Sequence, residues 1–124
     1  MKTIQTPKAP HPIGPYSQGI VENGFCFTSG MIAIDPGTNK IVPGRIREQT
    51  RRVLENIKAV LEEAGTSLQN VVKSTVYLKD PSLFKDMNEV YASYFGDHKP
   101  ARATIVCSFM LSEVLLEIDV IARA

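Results

Sequence analysis

Apolar residues change period four times along the chain, and the changes predict its elements. Residues 1–16 carry Pro7, Pro10, Pro12 and Pro15, which predict an extended lead-in. "SQGIVENGFCFTSGMIAI" reads as two strands around Asn23-Gly24, a pair suited to the positive φ angles of a tight hairpin turn. "DPGTNK" (35–40) is a second turn. Over 45–64 the period lengthens. Ile46, Val53, Leu54, Ile57, Val60, Leu61 and Ala64 recur at three- and four-residue steps with charges between them, and Gly65 ends the pattern, which predicts an amphipathic helix. "NVVKSTVYLK" (70–79) predicts a strand. Asp80-Pro81 then opens a second helix with the stripe Phe84, Met87, Tyr91 and Tyr94, stopped by Gly96. Two strands close the chain, 102–111 and 114–122, around a short turn at Ser112-Glu113.

The order ββαβαββ predicts one α+β domain over 1–124: a mixed sheet with two helices on one face. The other face then needs a cover, and "VLLEIDVIA" is apolar on nearly every position. That combination predicts an oligomer rather than a monomer.

Composition changes this picture little. A formal net charge of +1 favours no class of partner, whereas a nucleic-acid binder is more often strongly basic. The basic stretch "RIREQTRR" (45–52) could touch phosphate, but on a helix it reads as a solvated face. Cys26 and Cys107 both lie in apolar segments and read as buried free thiols. No signal peptide or membrane-length apolar run is present, so a cytoplasmic setting is expected.

The polar candidates are few. In the last strand the two-residue period sets Leu115, Glu117, Asp119 and Ile121 on one face and Val114, Leu116, Ile118 and Val120 on the other. Two carboxylates thus stand among apolar neighbours, where a charge is costly unless paired. Glu117 is either functional or an edge carboxylate matched by a lysine. Arg102, in "KPARATIVC", stands at the mouth of a strand and is either a solvated strand end or an anchor for an anion. If 102–111 and 114–122 form a hairpin, Ser108 lies opposite Glu117. Arg102 is then roughly 20 Å further along the strand. The two could share a pocket only across a subunit boundary. His11 and His98 lack metal-ligand spacing, and Ser17 and Ser29 lack an adjacent histidine.

Seven segments, "IGPYSQG", "TSGMIAIDP", "TRRVLENIKAVLEEAG", "VVKSTVYLKD", "MNEVYASYF", "KPARAT" and "LLEIDVIA", together resemble the reactive intermediate deaminase (RidA/YjgF) family along essentially the whole chain. The resemblance implies a chorismate-mutase-like fold and a homotrimer with sites between subunits. It implies hydrolysis of 2-imino and enamine acids, such as 2-iminobutanoate and 2-iminopropanoate released by pyridoxal-phosphate dehydratases, to 2-oxo acids and ammonia. It also implies no cofactor and no metal. By the same resemblance Arg102 holds the substrate carboxylate and Glu117 positions the attacking water. Tyr16, Ser29, Gly30 and Asn88 line the pocket, with Thr104 where the family often has cysteine. Met110-Leu111 stands where a Leu-Pro pair is usual. Two other readings stay open: a non-catalytic trimer that binds small carboxylates, and a ribonuclease or chaperone-like member.

Overall fold

Eight strands and two helices make up the computed structural model, which describes residues 1–124. The chain enters through β1 (Lys2–Ile4) and forms the hairpin of β2 (Gly19–Glu22) and β3 (Phe25–Thr28). Asn23 and Gly24 turn that hairpin with φ of 52° and 82°, the left-handed geometry expected of the pair. A small separate hairpin, β4 (Ile34–Asp35) and β5 (Lys40–Ile41), carries the second turn. Then come α1 (Ile46–Glu63), β6 (Val71–Leu78), α2 (Phe84–Phe95), β7 (Ala101–Val106) and β8 (Leu116–Arg123).

The local signals operate as their chemistry dictates. The Asp80 carboxylate accepts from the Ser82 N–H at 2.8 Å, and Pro81 starts a single 3₁₀ turn that feeds α2. Gly65 and Gly96 follow the two helices with φ of 81° and 61°. On α1 the apolar stripe Val53, Leu54, Ile57, Val60 and Leu61 is fully buried.

The main sheet runs β1-β2-β3-β8-β6-β7, antiparallel except for β6 and β7. Both helices cover one face, as the order of elements predicts. Leu116, Ile118, Val120 and Ala122 of β8 pack against α1 in a core that also takes in Met87, Tyr91 and Phe95 of α2. The alternation along β8 is the one predicted: those four are buried, while Glu117, Asp119 and Ile121 face the uncovered side.

Three expectations need correction. The last two strands are not a hairpin, because β6 lies between them and pairs with both. A parallel β6–β7 pair needs a crossover, and α2 supplies it. The strands are also shorter than 102–111 and 114–122; residues 107–115 are a loop, with its turn closed by Val114 N–H to the Leu111 carbonyl. Finally, Cys26 is buried but Cys107, at the start of that loop, is only partly so.

The uncovered face is apolar in its outer rows. Phe27 and Ile105 are 42% and 46% exposed there. No helix is long and apolar enough to cross a membrane.

Candidate functional site

Two clusters of candidate residues exist, and the sheet separates them. The first lies on the uncovered face around Glu117. Met31 and Ile118 exchange backbone hydrogen bonds at 2.8 and 3.1 Å, which lays the 29–31 segment along β8. Gly30 is thereby set against the Glu117 side chain. A Cβ added there would stand 2.7 Å from the Glu117 carboxyl carbon, so only glycine leaves the carboxylate its place. Tyr16 closes the cluster, and Tyr16, Gly30, Met31, Met110 and Glu117 share a cavity of about 300 Å³.

Buried polar side chains hold these loops. Gln18 accepts from the Thr6 N–H at 2.7 Å and donates to the carbonyls of Thr6, Ala9 and Pro10, so one amide ties down the proline-rich lead-in. Asn56 of α1 donates to the carbonyls of Ile32 and Ile34 at 3.3 and 2.9 Å. The Ser29 hydroxyl donates to the Ser17 carbonyl at 2.5 Å, so it serves the loop and keeps only its acceptor side free. Gln18 and Asn56 were not among the sequence candidates. Asn56 stands among the apolar residues of α1, and Gln18 follows a polar, proline-rich stretch that carries no sign of burial.

Glu117 is half-buried, and no hydrogen-bond donor or cation pairs with it. Burial pushes its carboxyl above the ordinary range, and the Asp119 charge adds to the effect. The lysine partner considered for it is absent from this chain's ion pairs.

The second cluster lies on the helix side, at the β7 edge. Arg102 is opposite Ser74, whose hydroxyl meets the Tyr91 hydroxyl of α2 at 2.6 Å. The guanidinium stacks over the Tyr91 ring, 4.7 Å from its centroid, and lies 5.7 Å from that of Phe84. One N–H donates to Asn88 Oδ1 at 2.8 Å. No carboxylate pairs with it, so its remaining donors face a cavity of about 450 Å³ lined by Asn88, Tyr91, His98, Lys99 and Pro100. A fixed, flat guanidinium with spare N–H groups suits a carboxylate. Thr104 follows on the same face of β7 and is exposed.

The structure therefore brings Tyr16, Gly30 and Glu117 together, and Asn88 and Arg102 together, but not the two sets. A groove of about 680 Å³ lined by Leu111 and Leu115 includes none of Tyr16, Gly30, Glu117, Asn88 or Arg102.

Comparison with known proteins agrees along the whole chain. Residues 6–124 match the family model described as endoribonuclease L-PSP. A RutC family protein of Pyrococcus abyssi is 58% identical over 121 residues, 98% of this chain and 95% of that protein. Among solved structures, RidA from the Antarctic bacterium Psychrobacter sp. PAMC 21119 superposes with a TM-score of 0.95 at 38% identity, covering 100% of both chains. E. coli TdcF with bound serine superposes with a TM-score of 0.94 at 38% identity, covering 100% of this chain and 99% of that one. The chain belongs to this family, the RidA/YjgF group with its chorismate-mutase-like fold.

Proposed function

We propose that this RidA/YjgF-family chain hydrolyses the C=N bond of small 2-imino acids, giving 2-oxo acids and ammonia, at sites shared between copies of the chain. The observation that carries the reading is Glu117: a half-buried carboxylate with no partner, beside a glycine that leaves it room. An unpaired carboxylate in such surroundings is a proton acceptor in waiting.

The roles follow from the two clusters. Arg102, braced by Asn88 and Tyr91, holds the substrate carboxylate. Glu117 of a neighbouring copy holds a water and takes its proton as the oxygen adds to the imine carbon. The C=N π electrons move to nitrogen, which takes from Glu117 the proton that the water gave up. The C–N bond then breaks and ammonia leaves, as the carbinol O–H returns its proton to Glu117 and the C=O bond forms. Tyr16 and Gly30 shape the wall beside Glu117. A protonated imine carbon is already electrophilic, so orientation and one proton relay suffice. No cofactor takes part in these steps. Three copies in a closed ring would cover the apolar sheet face and form three such sites.

The serine bound to E. coli TdcF supports a ligand of amino-acid size. An RNA-cleaving reading gains less from the geometry. Of the four arginines in the 45–52 stretch, Arg47 is paired with Glu89 at 2.8 Å and Asp86 at 3.4 Å and Arg52 is turned onto Asn56, which leaves Arg45 and Arg51 as its exposed cations outside any ion pair.

The test is a threonine dehydratase reaction with semicarbazide, which traps free 2-iminobutanoate. Wild type is expected to divert the imine to 2-oxobutanoate, and Glu117→Ala to let the semicarbazone accumulate. Equal trapping with wild type, Glu117→Ala and no added protein would leave a small-carboxylate-binding trimer as the better reading.

A further inference from the structure

Tyr77 lies directly across the β6–β8 ladder from Glu117, on the same face. Its hydroxyl is a donor within one row of two carboxylates. It donates to Asp119 Oδ2 at 3.0 Å, the diagonal neighbour, and leaves Glu117 without a donor. We propose that Tyr77 and Asp119 act as one positioning unit that keeps Glu117 unpaired beside a fixed negative charge, and so selects Glu117 as the proton acceptor.

The ladder shows why the choice is consequential. Two carboxylates two residues apart on one strand face project the same way. Were the Tyr77 hydroxyl to turn to Glu117, that carboxylate would be stabilised as an anion and Asp119 would be the free one. With the hydroxyl on Asp119, the anion is anchored there and Glu117 bears the repulsion. The same bond pushes the Tyr77 hydroxyl above its ordinary range, chiefly through the Asp119 contact, so the tyrosine stays a donor.

The other groups near this face do not offset the effect. His11 and Tyr16 line the cavity from the lead-in. Cys107 follows β7 and neighbours Tyr77. Lys79, the residue just past β6, is drawn away to the Ser112 carbonyl at 2.6 Å. Lys73 stands opposite Ile121, one row beyond Asp119, and forms no ion pair. No cation therefore neutralises the Glu117–Asp119 pair within the chain.

This inference rests on Glu117 being the base of the proposed reaction, so its test includes a readout independent of turnover. Carboxyl carbon NMR of protein labelled at glutamate would follow Glu117 in wild type, Asp119→Asn and Tyr77→Phe. Asparagine keeps an oxygen for the Tyr77 hydroxyl and removes the charge. The Glu117 midpoint is expected to fall in Asp119→Asn, and the acid limb of kcat/KM to move down with it while KM stays near the wild-type value. In Tyr77→Phe the Asp119 charge remains, so the midpoint is not expected to fall. An unchanged midpoint in Asp119→Asn would overturn the proposal, as would an equal fall in Tyr77→Phe. Loss of imine hydrolysis in wild type with the NMR shift intact would instead overturn the reaction and leave the electrostatic unit standing.

Discussion

Arg102 and Glu117 project from opposite faces of one sheet. Arg102 pairs with Ser74 and Glu117 with Tyr77 on the same central strand, an odd number of residues apart. Alternation then forces them to opposite sides. Two strand spacings and three residues of rise separate their Cα atoms by about 14 Å, before side chains diverge. One chain cannot place both on one small substrate.

Mixing two inactive variants tests the consequence. Arg102→Ala and Glu117→Ala subunits are each expected to lose nearly all imine hydrolysis. Unfolded and refolded together in equal amounts, they are expected to recover about a quarter of wild-type activity. In a closed ring with head-to-tail sites, one site in four draws Arg102 from one variant and Glu117 from the other. Steady-state rates of the mixture against each parent decide it, and no recovery would mean that the site is not shared.

Gly30→Ala probes the close approach. Gly30 has no positive φ, so alanine adds a collision rather than backbone strain. The Glu117 carboxylate must move to relieve it, and a misplacement of about 1 Å costs on the order of 100-fold in rate. The expected result is that loss in kcat, with the circular dichroism spectrum and Tm near those of wild type.

How much of this was legible in the sequence depends on the kind of signal. The helices, the Asn23-Gly24 hairpin and the faces of β8 were, because each is set by the spacing of apolar residues or by a turn residue's own conformational preference. The neighbours of each strand were not. Backbone ladders are chemically uniform, so nothing in "ARATIV" or "LEIDVIAR" states that β6 is to lie between them. The hairpin premise was therefore wrong, yet the separation of Arg102 from Glu117 stands for a different reason. Likewise nothing in the sequence gives Asp119 its partner, because that tyrosine is 42 residues away.

Asn56→Ala addresses a residue that only the fold reveals. It takes the side-chain donor from the Ile34 carbonyl and leaves the Ile32 carbonyl only the Ile34 N–H, and an unmet buried polar group costs about 1–3 kcal/mol. Denaturant melts should show that loss. Because the same segment leads into Met31 and Gly30, kcat should fall with it, whereas an exposed control such as Lys58→Ala should change neither.

Glu117→Gln separates what the carboxylate does for stability from what it does for activity. Burial raises the Glu117 carboxyl above its unfolded range, and Asp119 raises it further. The folded state therefore binds this proton more tightly than the unfolded chain does. Stability linked to that proton is complete below the unfolded range and is lost as pH rises through the folded one. Glutamine mimics the protonated form without titrating. Thermal melts of the two proteins should then coincide in acid, below the range of an ordinary glutamate. They should part toward neutrality, with Glu117→Gln the more stable, while its imine hydrolysis is lost throughout. A variant less stable than wild type at neutral pH would mean that the Glu117 anion is stabilised in the assembled protein, and that it is not held ready to accept a proton.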